Sequence, residues 1–467
     1  MRISRTSLSI LGFLAVFFML LKAPTDPDFG WHRRLGEYIL GQRQIPQRNL
    51  FSYTLPEYRW ADSYWLTQVL MVGLERVGGF LGLSLVFALV GSLAVGVATG
   101  FHPFASFLAA MLFIPAAGVR PLVLSTLLFS FLFLVLQKVW RNVETRWLLC
   151  LPPLFLLWAN VHADFVIGLS VLGIVLFLEA LRQRKFLAPA FVGLASVAMT
   201  LINPYGLFLW KTLAKEAGSQ LMRNTIAEWL PPSTHTEFGL FLLCFIFFLN
   251  LLFFLDRKKL RLSETVLIAF FSLLGLFSMY HIRLLVIVSG PFLVRGFKRL
   301  SRASFFTDSS RRFIKLYASS CLVVFSLVTA PLALIPKFLA ESSSEEALAE
   351  AGEYPYGAVA FLRENPQGGN IFNDYVWGGF LIWRLPEVKT FIDGRMPAWK
   401  EGDKYVFEDY MTVTRLKPGW EDVLRNYEIS YFLIRSDSAL SQMLKTHPEW
   451  GVIYEDSLAV IFEVAFL

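Results

Sequence analysis

Cysteine is scarce. The chain holds three, Cys150, Cys244 and Cys321, each inside an apolar run, which excludes a disulfide framework and a zinc site built on paired cysteines. Charge is scarce too: 17% of the 467 residues are charged, 55% are hydrophobic, and the mean hydropathy is +0.53. A soluble globular domain carries about a quarter charged residues, so this composition is that of a membrane protein. The C-terminal part lacks a Gly-rich loop after a strand, and nucleotide binding has no motif to rest on. The net charge of +7 does not indicate nucleic acid, because the basic residues cluster between apolar runs, where the positive-inside bias accounts for them.

Apolar runs are what the chain has in abundance. They lie near residues 7–22, 79–100, 103–118, 121–137, 147–161, 165–181, 186–202, 238–255, 262–280, 284–297 and 313–336. Against about 20 residues per crossing, they predict an α-helical polytopic protein with about eleven transmembrane helices. The first run follows Arg2 and Arg5 but ends in Lys22-Ala23-Pro24-Thr25-Asp26, without a small-x-small cleavage site, and reads as a retained anchor. With the N-terminus in the cytoplasm, the basic groups Lys138, Arg141 and Arg146, Arg182 to Lys185, Arg257 to Arg261, and Arg295 through Lys315 all fall inside. An odd number of crossings then puts the segment from residue 340 outside.

The opposite face played no part in that assignment. It collects Asp26, Asp28 and His32; Asp62; Arg120; Asn160, His162 and Asp164; Asn203 to Gly206; and His281 with Arg283. Any one of these reads most simply as a helix-end residue snorkelling into the headgroups. Gathered at one face, the set reads as a site, since ionisable groups near membrane depth are costly.

The first outer loop, residues 23–78, is the richest stretch. FGWHRRLGEYILGQ places Trp31, Leu35, Tyr38 and Ile39 at helical spacing and predicts a short amphipathic helix lying on the outer leaflet. Tyr64 to Val77 predicts a second helix ending at Gly78-Gly79, with an ordered loop between the two. Asp26-Pro27 has the pattern of a helix cap followed by a first-turn proline, and Asp28 would then sit in a first turn where the dipole favours it. Capping needs only one carboxylate.

The stretch DPDFGWHRRLGEYIL, Asp26 to Leu40, resembles the first outer loop of GT-C glycosyltransferases, and an acidic DPxF element of this kind occurs in oligosaccharyltransferase catalytic subunits. More closely, the chain resembles a group of bacterial GT-C-like multi-pass proteins. That likeness is carried in order by NLFSYT from Asn49, Trp65-Leu66, Arg120-Pro121, WANVH from Trp158, NPYG from Asn203, NDYVWGGFLIWRLP and FIDGRMPAW. It implies a GT-C-like transmembrane domain over 1–339 and transfer of a sugar from a polyprenyl-phosphate carrier to an extracytoplasmic glycan, lipid or protein, with inversion at the anomeric carbon. The implied place is the bacterial cytoplasmic membrane. Two departures stand out. Ser63-Tyr64, after Asp62, replaces a His-Glu pair common in such relatives, and Ala163-Asp164 follows His162 where glycine is common.

Such a transfer needs a base for the incoming hydroxyl and cations for the departing phosphate. Asp28 is the preferred base, with Asp26 the second catalytic candidate. Arg120 and Arg283 would grip phosphate through bidentate guanidinium pairing. His162 and Asp164 would orient substrate, Trp31 and Trp65 offer aromatic faces, and His32 and Asp62 complete the substrate-binding set. A divalent cation, Mg or Mn, could be held by Asp26 or Asp28, although two carboxylates and His32 make a thin ligand set. Two rival readings remain. A transporter or flippase for a lipid-linked sugar would show repeated halves or midplane charges; no repeat is visible, and the ionisable residues within the runs are few, Glu179 and Glu264 lying near the cytoplasmic ends. A non-catalytic binder of the carrier is the other, kept open by the missing His-Glu pair.

Residues 340–467 change character. After an acidic linker, NIFND, VKTFID and ISYFLIR predict strands, WEDVLRNY and LSQMLKTH helices, and WGVIYED with LAVIFEV a closing strand pair: a small α/β domain. Asp374, Asp393 and Arg395 fall at strand ends, where aspartates are usually turn formers. Acceptor recognition, or a lid over the membrane site, is the role expected of this domain.

Overall fold

The computed structural model describes residues 4–140, 145–184, 186–256, 260–300 and 307–464. Arg2, Arg141, Lys185, Arg257, Lys258, Lys259 and the stretch 301–306, used above for orientation, lie outside the described residues. Among the described residues six helices are long and apolar enough to cross a membrane: Trp65–Thr99, Pro121–Val139, Phe165–Gln183, Glu237–Leu255, Met279–Arg299 and Leu316–Glu341. The shorter apolar helices are Arg5–Leu20, Pro103–Ala116, Arg146–Ala159, Leu187–Met199 and Leu262–Phe277. The chain is a multi-pass helical membrane protein; among the described residues six helices have the length and composition of a full span, and a count of eleven needs the five shorter apolar helices as well. A helix suits lipid because every interior backbone group is satisfied within the segment.

The chain divides into two compact units. The first comprises Met1–Ala23, Phe80–Gly206 and Thr225–Ala340. Its helices approach closely at small residues: a Cβ on Gly12 would lie 2.7 Å from Pro103 Cα, and one on Gly290 would overlap the Ala98 carbonyl. Close backbone approach of this kind replaces the hydrophobic drive that lipid removes. Buried Glu179 ties two helices together, accepting from Arg182 Nε (2.8 Å), Arg261 Nη1 (3.1 Å) and Ser263 Oγ (3.2 Å).

The second unit comprises Pro24–Gly79, Leu207–Asn224 and Glu341–Leu467, so the first outer loop groups with the C-terminal segment. Its sheet has the order β1-β2-β4-β3, from Asn370–Asn373 (β1), Ile429–Arg435 (β2), Trp450–Glu455 (β3) and Ala459–Val464 (β4). β1 runs parallel to β2, and the other pairings are antiparallel. Four of the five strand expectations hold. VKTFID does not join the sheet, because its hydrogen bonds go elsewhere: Thr390 exchanges them with Phe51 O (2.9 Å) and Tyr53 N (3.2 Å), while Asn373 Oδ1 takes the amide of Phe391 (2.8 Å).

The amphipathic helix forms over Phe29–Gln42, but its apolar face does not meet a leaflet. Trp31, Leu35 and Ile39 are buried against protein. The partner is helix Gly378–Arg384, and the approach is so close that a Cβ on Gly30 would overlap the Gly379 carbonyl, and one on Gly379 that of Pro27. The glycines of DPDFG and VWGGF are there because no side chain fits between the two backbones.

Candidate functional site

Helix Phe29–Gln42 starts two residues later than the Asp-Pro pattern suggests. Asp26 Oδ1 accepts the backbone N–H of Asp28 (3.0 Å), and the Asp26 carbonyl that of Phe29 (2.9 Å), so Asp26 braces the turn before the helix. Asp28 stands at the cap position without a capping hydrogen bond from its side chain. Its Oδ1 instead accepts from Trp31 Nε1 at 2.8 Å. The same oxygen lies against Gly394 of FIDGRMPAW, where a Cβ would overlap it.

His32 is buried on the next step of the helix, its ring 3.6 Å from that of Trp31 and edge-on to Tyr64 at 5.2 Å. Gln68 Nε2 donates to His32 Nδ1 (3.2 Å). Asp62 is fully buried beside them: its Oδ1 accepts from the Tyr64 amide (2.9 Å), whereas Oδ2 has no partner. Burial pushes the Asp62 carboxyl up to about 7, against the pull of the Tyr64 amide, Gln68 and Arg395. Glu216, on helix Leu207–Gly218, is likewise pushed up to about 7 by burial, with a hydrogen bond from Trp60 opposing and the charge of Asp62 adding to the rise. Trp65 sits half-buried at the start of helix Trp65–Thr99.

Arg395 and Asp393 form a buried bidentate pair, Nε to Oδ1 and Nη2 to Oδ2, both 2.7 Å. Nη2 also donates to Asn49 Oδ1 (3.1 Å), and the guanidinium lies within 5.0 to 5.7 Å of the ring centroids of Phe51, Trp399 and Trp60. This knot joins NLFSYT to FIDGRMPAW and holds Gly394 under Asp28. The sequence reading missed Glu216 and Gln68 altogether. From sequence Asp393 reads as a turn former and Arg395 has no assigned role, although their i, i+2 spacing around a glycine was the available signal.

In the first unit Asp164 is the centre. Its Oδ2 accepts from Arg283 Nη2 (2.7 Å) and Ser125 Oγ (2.8 Å), its Oδ1 from Tyr280 OH (2.8 Å). His162 Nδ1 accepts the Asp164 amide (3.1 Å), and Trp158 Nε1 donates to Ser125 Oγ (2.8 Å). Arg283 lies 4.4 Å from the Tyr280 ring centroid, and Tyr280 stacks on Trp229 at 4.9 Å. Arg120 pairs with Glu228, one residue before that tryptophan. The structure therefore collects Asp26, Asp28, His32, Asp62 and Trp65 in one unit, and Arg120, His162, Asp164 and Arg283 in the other. As for a divalent cation, no three His, Cys, Asp or Glu side chains come together as ligands among the described residues. Asp26 and Asp28 each spend an oxygen inside the loop. Among the described residues no donor set for a tightly held ion is formed.

No family model matches the sequence, and no curated protein matches it. The fold is similar to that of solved membrane proteins. Two solved proteins share it over nearly the whole of this chain. One is the archaeal oligosaccharyltransferase AglB from Archaeoglobus fulgidus, in complex with an inhibitory peptide and a dolichol-phosphate: TM-score 0.57, 10% identity, covering 99% of this chain and 74% of that one. The other is ArnT from Cupriavidus metallidurans bound to undecaprenyl phosphate: TM-score 0.51, 12% identity, covering 98% and 96%.

Proposed function

We propose that the chain is a membrane glycosyltransferase that moves a sugar from a polyprenyl-phosphate carrier to an extracytoplasmic glycan, lipid or protein. The observation that carries this reading is Asp28: in a chain with a GT-C fold, its carboxylate is held between an indole N–H and a glycine that leaves it room. The acceptor oxygen bonds to the anomeric carbon while the bond from that carbon to the phosphate oxygen breaks. Its electron pair leaves with the carrier phosphate, the acceptor proton passes to Asp28, and the anomeric centre inverts. Asp26 positions Asp28 through the backbone. The membrane is the bacterial cytoplasmic one, crossed about eleven times, with the N-terminus inside and the C-terminal segment outside.

Of the two arginines, Arg120 is the better phosphate ligand. Its pair with Glu228 is partly open to solvent, with 16% and 41% of the side chains exposed, against 1% and 3% for Arg283 and Asp164. An open pair is worth about 0 to 1 kcal/mol and yields to a carrier phosphate, whereas breaking a buried pair costs about 3 to 5 kcal/mol. Arg283 and His162 then hold Asp164 and the helix ends, and Arg120 meets the carrier. Arg120→Gln is expected to raise KM for the carrier-linked sugar about tenfold, the size of one charged hydrogen bond, with kcat little changed. An unchanged KM would move phosphate binding elsewhere.

The reading is tested with purified protein in lipid, offered a panel of radiolabelled polyprenyl-phosphate sugars, by following sugar release or transfer. Turnover of one donor is the expected result. Tight carrier binding with no turnover from any donor would make the chain a binding or transport component.

A further inference from the structure

The scheme above gives Arg120 to the carrier phosphate and leaves its partner, Glu228, without a task. Glu228 cannot drift away once its ion pair is broken. It lies in the turn Ala227–Trp229, which is closed by the Trp229 amide donating to the Ile226 carbonyl (2.9 Å) and the Leu230 amide to the Ala227 carbonyl (3.2 Å). The turn is pinned to the segment Ser278–His281: Ser278 Oγ donates to the Glu228 carbonyl (3.3 Å) and the Met279 amide to the Leu230 carbonyl (3.0 Å). Trp229 adds a ring contact, its plane 16° from that of Tyr280. The backbone at 228 is therefore held and only the side chain can rotate, so a phosphate on Arg120 keeps this carboxylate as a neighbour.

Arg120 is fixed as well. It stands at the start of helix Pro121–Val139, its carbonyl accepting the Val123 amide (3.0 Å), where the helix dipole favours an anion. The neighbouring charges cancel: Arg283 is committed to Asp164, whose other contacts are Ser125 and Tyr280, and that buried pair brings no net charge. The other titratable groups on this face are His162, which accepts the Asp164 amide, and His281, edge-on to Trp229 at 5.8 Å. The phosphate would meet one cation offset by one tethered anion.

The carrier phosphate changes charge in the transfer. In the donor it is a diester with one negative charge; once its bond to the anomeric carbon breaks it is a monoester, which carries two above a pKa of about 6. Arg120 attracts the added charge and Glu228 repels it, and two unit charges about 5 Å apart at a partly exposed site change affinity about tenfold.

We infer that Glu228 sets the charge preference of the carrier-phosphate site, keeping the dianionic monoester product from outcompeting the monoanionic diester donor. The inference rests on the transferase reading, with Arg120 as the phosphate ligand. Glu228 acts through space and takes no proton. Without it the product would bind more tightly than the donor, and turnover would end in a trapped carrier. The same charge opposes the one that builds on the phosphate during transfer, so Glu228 speeds release while slowing the chemical step.

The test is calorimetry on the full chain in phosphatidylcholine nanodiscs at pH 8, with farnesyl phosphate as the monoester probe, methyl farnesyl phosphate as the diester probe and empty nanodiscs as reference. Wild type is expected to bind the two within about threefold of each other. Glu228→Gln is expected to tighten both and to shift the preference about tenfold toward the monoester, at an unchanged thermal midpoint because an open ion pair adds little stability. Glu228→Asp keeps the charge and is expected to keep the wild-type ratio. An unchanged ratio in Glu228→Gln, or equal weakening of both probes, makes Glu228 a structural brace and overturns the inference. A different result marks failure of the reading beneath it: if wild type binds neither probe, or Arg120→Gln leaves both affinities unchanged, the phosphate sits elsewhere and the inference falls with the site. Binding needs no turnover. A preference that Glu228→Gln shifts, in a chain that never releases sugar from any carrier, would sink the transferase reading and leave the role of Glu228 at the phosphate standing.

Discussion

Asp28→Asn is expected to lower sugar transfer about a thousandfold while leaving carrier binding and the thermal midpoint close to wild type. The size is that of losing a positioned general base, worth about 10² to 10⁴. The substitution is clean for a structural reason: the Asp28 oxygen that accepts from Trp31 Nε1 is retained by the amide, and asparagine suits the start of helix Phe29–Gln42 as well as aspartate does. Only the proton acceptor is removed. The neighbouring glycine supplies an independent check. A Cβ on Gly394 would overlap Asp28 Oδ1, and the backbone at 394 does not have a positive φ, so the conflict in Gly394→Ala is purely steric. With the carboxylate pushed from its place, transfer is expected to fall about a hundredfold, the usual penalty for a displacement near 1 Å. Full activity in both variants would take the base away from this loop.

The second large effect concerns stability. Asp62 is fully buried, one oxygen has no partner, and burial pushes its carboxyl from 3.8 up to about 7. Below about pH 4 both folded and unfolded chains carry the proton, and its burial costs nothing extra. Between pH 4 and 7 the unfolded chain releases the proton and the folded chain keeps it, so stability falls as pH rises; above 7 the loss is complete. The shift corresponds to about 4 kcal/mol. Asp62→Asn removes this titration and keeps the shape. The variant is therefore expected to match wild type near pH 4 and to exceed it by a gap that widens to about 4 kcal/mol at pH 8. Thermal midpoints of both proteins across that range are the measurement, and parallel curves would contradict it. Glu216 titrates in the same range, and the charge of Asp62 adds to its rise, so the difference between the two proteins reports Asp62 together with its coupling to Glu216.

Length, hydropathy and period are local properties, and whatever depends on them was legible in the chain itself. The apolar runs announced a multi-pass helical protein, the 3.6-residue period announced helix Phe29–Gln42, and the alternating runs announced four strands of the C-terminal sheet. The order of short motifs pointed to the fold that this chain shares with its solved neighbours. Tertiary structure decided the rest, because it depends on partners far apart in the chain. VKTFID reads as a strand, yet its backbone groups find Phe51, Tyr53 and Asn373 before they find the sheet. The apolar stripe of Phe29–Gln42 reads equally well for lipid or protein, and only the glycine contact at Gly30 and Gly379 selects protein. Arg395 to Asn49 spans 346 residues, and Glu216 meets Trp60 and Asp62 from another segment of the chain. No period or propensity encodes such a pairing; it exists only once the backbone has closed, and with it comes the charge state of the buried carboxyls.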